Sequence, residues 1–238
     1  MWLINVHTGK LEKHMVAPPY AILSHTWRDS EISFQDRTTY ADIDTCCIDK
    51  SSSPELSEAI NSMFRWYRDS AVCFAYLEDL PIGQGAATKL ELERCRWFTR
   101  GWTLQELIVP TAVRFYDRGW NDRGTKAALR GAVSRITGVR LGVLLGEDLS
   151  RLGSIPVAVR MSWASRRTTT LPEDMALIYG EGANAFIRLQ EEIIKRINDL
   201  SILAWDSRER CRIGPYCGIL AASPADFAHA SRNFATTS

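Results

Sequence analysis

Apolar residues fall into short continuous runs in the first half of the chain and into helical spacing in the second. WLINV and LEKHM, residues 2–6 and 11–15, flank a Gly turn and predict a hairpin, which Pro18-Pro19 ends. YAILSHTW (20–27) opens with an apolar run that predicts a buried strand, then a loop carrying Ser24, His25 and Trp27. DIDTCCI (42–48), AVCFAYLED (71–79) and AVRFYD (112–117) predict further strands. Between the first two of these, Ser51-Ser52-Ser53-Pro54 starts a helix in which Leu56, Ile60, Met63, Phe64 and Tyr67 recur at helical spacing. A strand–helix–strand unit of this kind lays its strands parallel. KLELERCRWF (89–98) has a helical pattern, and so have TKAALRGAVSRI (125–136), VAVRMSWAS (157–165) and ANAFIRLQEEIIKRI (183–197). In the last of these, Phe186, Leu189, Ile193 and Ile197 form one face, while Glu191–Lys195 and Glu192–Arg196 pair on the other. The pattern predicts an α/β core over 1–120, an α-helical extension over 121–205, and a loosely ordered Ala/Ser/Pro-rich tail over 206–238.

Composition narrows the function classes. With 45% hydrophobic residues in 238, the chain can bury an ordinary core. Its 29 basic and 28 acidic side chains create no global field to gather nucleic acid or anionic lipid. No run reaches the roughly 18–20 apolar residues of a membrane helix, and MWLINVHTGK lacks a secretory layout, so a cytoplasmic location is expected. The six cysteines show no CxxC spacing, which predicts reduced thiols and no zinc site. The glycines of IGQGAA lack the Lys and the spacing of a P-loop, so no metal or nucleotide cofactor is expected from motif.

Several side chains carry chemistry under one reading and structure under another. His25 stands just past a strand, where open α/β sheets contact ligands, yet a lone His there is also an ordinary structural residue. Asp44, in an apolar strand, is either a hydrogen-bonded structural acid or a site residue. Cys46 and Cys47 suit the role of small buried hydrophobes, since a nucleophilic thiolate would need His25 as its base. In RGWTLQEL (100–107), Glu106 is flanked by Trp102, Leu104, Leu107 and Ile108. On a helix Trp102 and Glu106 share a face. Turned inward, the carboxylate is desolvated and available to a site; turned outward, it is a surface residue.

YAILSHTW, IDTCCIDK, SSSPELSEAINSMFRWYRDSAVCFAYLED, RWFTRGWTLQELIVP, RMSWASRRTT, LPEDMALIYGEG and AFIRLQEEI resemble, in order, the blocks of the fungal heterokaryon-incompatibility (HET) domain, over roughly residues 1–205. That resemblance implies a regulator of self/non-self recognition and cell death. It also implies a TIR/flavodoxin-like parallel sheet flanked by helices, because HET domains are held to be related to Toll/interleukin-1 receptor (TIR) domains. Several TIR domains cleave NAD at the nicotinamide–ribose bond through one glutamate in a motif resembling W-C-x-x-E-L. WTLQEL (102–107) has this pattern with Thr103 in place of Cys, which carries the catalytic role to Glu106. Ser24, His25, Trp27, Asp44 and Trp102 would line the substrate site, with NAD as substrate rather than cofactor. The resemblance further implies self-association or another incompatibility protein as partner. This chain departs from the family pattern near 37–41 and 175–178, where it is shorter. A non-enzymatic self-associating adaptor and an inactive truncated member therefore stand beside the enzymatic reading.

Overall fold

The computed structural model describes residues 2–26, 62–146, 149–168, 183–206 and 219–234. The expected strand at 42–48, the helix start at 51–61, Trp27, Asp44, four of the cysteines (46, 47, 211 and 217) and the shortened stretches near 37–41 and 175–178 lie outside them.

A four-stranded, mostly parallel sheet with helices packed against it organises the first half. Strands β3 (Ala21–Ser24), β4 (Val72–Tyr76) and β5 (Val113–Tyr116) run parallel in that order, and β6 (Asp122–Thr125) closes the edge antiparallel to β5. The opening hairpin forms separately from β1 (Trp2–Ile4) and β2 (Leu11–Lys13). Register places Cys73 beside Val113 and Ala75 beside Phe115, and all of these are buried in the main core. The intervening positions carry Phe74, Tyr76 and Tyr116; Phe74 meets Tyr116 edge to face, and Tyr76 stacks on Trp120 at 4.6 Å.

β6 has no apolar alternation to announce it. Its position comes from a polar turn in which Asp117, fully buried, accepts hydrogen bonds from the backbone of Gly83, Gly119 and Asn121 and from the Asn121 amide. Burial alone would raise the Asp117 pKa, and these donors outweigh it to hold the carboxyl below its usual range. Arg123, in β6, bonds the Pro81 and Gly85 carbonyls and Glu91, so the Gly-rich turn is pinned from inside. A Cβ on Gly83 would fall 2.8 Å from the Arg123 guanidinium, which explains glycine there without any nucleotide.

KLELERCRWF, expected as one helix, divides. α2 (Lys89–Glu93) starts at a Thr88/Glu91 capping box, and a 3-10 turn (Arg96–Thr99) follows Cys95, its first amide bonded to Asp79 at 2.7 Å. α1 (62–69) and α3 (Thr103–Ile108) precede β4 and β5. α4 (Lys126–Thr137), capped by Thr125 and ended by Gly138 at φ 74°, packs Leu129 and Val133 into the core. α5 (Leu141–Leu144) follows it.

The helical extension has its own small core. α6 (Val157–Ala164) contributes Ala158 and α7 (Ala183–Arg196) contributes Phe186, both against Ala221, Phe227 and Ala230. Residues 219–234, expected within a loose tail, instead fold here as a 3-10 turn (Pro224–Phe227) and α8 (Ala230–Asn233). Two features hold them: Phe227 is fully buried, and the side-chain amide of buried Gln190 pairs with both backbone groups of Ala221. Small alanines allow the close approach that a low-complexity composition conceals. Of the expected apolar face on α7, Phe186 is buried, whereas Ile197, just past the helix end, is exposed. No helix among the described residues is long and apolar enough to cross a membrane.

Candidate functional site

The helix that carries Glu106 is short, and its ends are satisfied from outside. Thr103 is its first residue; its buried hydroxyl donates to the Trp97 carbonyl at 2.6 Å and approaches the Arg100 carbonyl at 2.9 Å, tying α3 to the preceding 3-10 turn. At the other end the Lys126 ammonium donates to the carbonyls of Leu107, Ile108 and Pro110, at 2.5–3.5 Å. A cation on the last carbonyls of a helix opposes the negative end of its dipole. Burial nevertheless pulls the Lys126 pKa down to about 8.

Between these anchors Glu106 turns inward and is 8% exposed. Its Oε2 accepts a hydrogen bond from Ser24 Oγ, across 82 residues of chain. Ser24, the last residue of β3, is completely buried, and its Oγ also receives the Trp97 indole N–H at 2.7 Å. An indole can only donate, so it occupies a lone pair of the serine hydroxyl and leaves the hydroxyl's own proton for the carboxylate. Trp97, itself buried with no exposed surface, is fixed by edge-to-face contacts with Phe98 and Phe115. The core thus sets the rotor of Ser24, and Ser24 sets one oxygen of Glu106.

Electrostatically, the neighbours of Glu106 come from several elements. Burial, then the Glu106 charge, pushes the Cys73 thiol well up, so Cys73 is a packed apolar residue at neutral pH. Arg167, 6% exposed, meets the start of α3. Its Nη1 donates to the Arg100 carbonyl at 2.9 Å and to Thr103 Oγ1 at 3.1 Å. Burial pulls the Arg167 pKa down to about 10, and the Glu106 carboxylate opposes that fall.

Of the expected site residues, the structure brings Ser24 and Glu106 into contact. His25 is next to Ser24 in sequence and is half-buried, and Trp102 is half-buried immediately before α3. Trp27 and Asp44 are outside the described residues. Trp97 and Arg167, which no motif reading singled out, and Thr103, noted only as a departure from the motif, surround the Ser24–Glu106 contact: Trp97 bonds Ser24, and Thr103 and Arg167 bond each other at the start of α3. Their only sequence signals are an apolar Trp before the motif, a Thr at its second position and one Arg of a doublet, and none of these encodes a contact. One surface cavity of about 610 Å3 is lined by residues such as Trp205, Asp226 and His229, and another of about 520 Å3 lies between the hairpin and the sheet. Neither is lined by Glu106, Ser24 or His25. Among the described residues no cluster of His, Cys, Asp and Glu has the makings of a metal site.

Comparison with known proteins adds a relative to this geometry. Residues 184–215 match a domain of unknown function, DUF8212. No solved structure matches. The chain is 43% identical over 223 residues to the vegetative incompatibility protein HET-E-1 of Podospora anserina, in a match covering 75% of this chain and 16% of that protein. Since 75% of the 238 residues is about 178, the 223 aligned positions include some that this chain lacks. The chain spans about a sixth of the relative's length. Across three-quarters of its own length, therefore, it is a homologue of one segment of a fungal vegetative incompatibility protein.

Proposed function

We propose that the protein acts in fungal incompatibility by cleaving NAD at the nicotinamide–ribose bond, with Glu106 as the catalytic carboxylate. Its kinship to a vegetative incompatibility protein supports the biological setting. The WTLQEL motif and the parallel order β3–β4–β5 support a TIR/flavodoxin-like ancestry. The observation that carries the reading is the fixed acid: Glu106 is buried and one of its oxygens is held by a serine whose rotor Trp97 sets.

In the proposed step the C1′–N bond of the nicotinamide riboside unit breaks, and its electron pair neutralises the cationic ring nitrogen. The leaving group needs no proton. The ribose becomes oxocarbenium-like, and the Glu106 carboxylate stabilises that charge until water adds at C1′ and releases a proton. Ser24 contributes by orientation, because a carboxylate that does not reorganise is worth more to a developing cation than a mobile one. His25, just past β3, and Trp102, just before α3, would contact the substrate.

A second reading is a non-enzymatic adaptor that self-associates; in its favour, Glu106 already serves the core, since it is buried and bonded to the buried Ser24. Purified protein with NAD separates the two. Nicotinamide release supports the enzyme, whereas no release together with concentration-dependent assembly in sedimentation supports the adaptor.

A further inference from the structure

One residue of the helical extension bonds the start of the helix that carries Glu106. After α6 the chain returns to the sheet domain as a short parallel bridge: Thr168 N–H donates to the Thr99 carbonyl at 2.7 Å, and Gly101 N–H donates to the Thr168 carbonyl at 2.8 Å. This bridge lands immediately before the helix that bears Glu106. It delivers Arg167, whose Nη1 holds the Arg100 carbonyl and Thr103 Oγ1. Thr103 and Glu106 are three apart on one helix and so share a face. A guanidinium that is 6% exposed carries its charge into a region where an uncompensated cation is costly. Its Nη2 has no hydrogen-bond partner among the described residues.

We propose that Arg167 is a positioning residue for Glu106: it fixes the first turn of the glutamate's helix and brings a buried positive charge to that helix, so the helical extension completes the site. As a role in catalysis this rests on the NAD-cleaving reading; as a statement about Glu106 it does not. On the sheet side, Ser24 at the end of β3 bonds the carboxylate and Cys73 on β4 feels its charge. The serine is neutral and the thiol is held protonated by burial, whereas the buried Arg167 guanidinium carries a positive charge that the Glu106 carboxylate favours. A bland alternative gives Arg167 only a stapling role between the two halves.

The test reads the carboxylate directly. Protein labelled with 13C at the glutamate carboxyls is titrated by NMR, with the Glu106 signal assigned by its loss in Glu106→Gln. In Arg167→Gln the Glu106 midpoint should rise by about one pH unit or more, and in Arg167→Lys it should return most of the way to wild type. An unmoved midpoint in folded Arg167→Gln overturns the proposal. If that variant does not fold, the reciprocal titration decides: the Arg167 guanidinium midpoint should fall in Glu106→Gln, and an unchanged value overturns the proposal equally. Neither measurement uses NAD. Absence of nicotinamide release from wild type would therefore end the NAD reading alone, and unmoved midpoints would end the positioning role alone.

Discussion

Ser24 shows how one hydroxyl can be committed by its neighbours. Trp97 Nε1 needs an acceptor in a dry core and Glu106 needs a donor, and a single oxygen serves both. Ser24→Ala removes both partners at once and leaves the indole N–H buried without an acceptor. Urea denaturation should show a loss of about 1–3 kcal/mol, larger than an ordinary surface substitution gives. Lys126 makes a second prediction, this one about pH. Its folded pKa of about 8 lies below its ordinary 10.5. Between those values the unfolded chain binds more protons than the native one, so this group's contribution to stability rises with pH and is lost again as pH falls through about 8. The stability difference between wild type and Lys126→Met should therefore grow from pH 8 to about 10.5 and level off below 8. A difference independent of pH would mean the ammonium is not desolvated where it caps α3.

At the level of elements, local signals and tertiary contacts divide the work. α4 is specified locally, by a Thr125 cap, an apolar spacing through Leu129 and Val133, and a left-handed Gly138 stop. Thr125→Ala should accordingly cost about 1 kcal/mol in thermal or chemical unfolding, without changing the fold. Strands β3 and β4 are equally legible, because continuous apolar runs between turn residues leave few alternatives. β6 is not, since DRGT has no alternation and its placement depends on Asp117 and Arg123 satisfying each other's surroundings. The break in KLELERCRWF is likewise non-local: Asp79, 17 residues earlier, captures the Arg96 amide. The candidate site divides in the same way. Glu106 was visible as a carboxylate in an apolar run, but its contact with Ser24 spans 82 residues and its relation to Arg167 depends on the bridge at Thr168. Periodicity encodes which face a residue occupies and is silent about what meets that face.

On the scale of the whole molecule, the C-terminal residues are structural rather than appended. Phe227 fills a core with Phe186, Ala158 and Ala221, so Phe227→Ala should destabilise the protein by about 3–5 kcal/mol, where truncating a side chain in a loose tail would cost almost nothing. That second core supports α6, α6 leads to the Thr168 bridge, and the bridge holds the helix of Glu106. The two halves are in this way joined just before the helix that carries the acid. The most direct measurement of the central claim is nicotinamide release from NAD by wild type and by Glu106→Gln, an isosteric change that keeps an acceptor for Ser24 and removes the charge. Wild type should release nicotinamide, and a Glu106→Gln protein with unchanged circular dichroism should be slower by on the order of 100-fold or more. Equal rates from the two proteins, or no release from folded wild type, would contradict a catalytic role for this carboxylate.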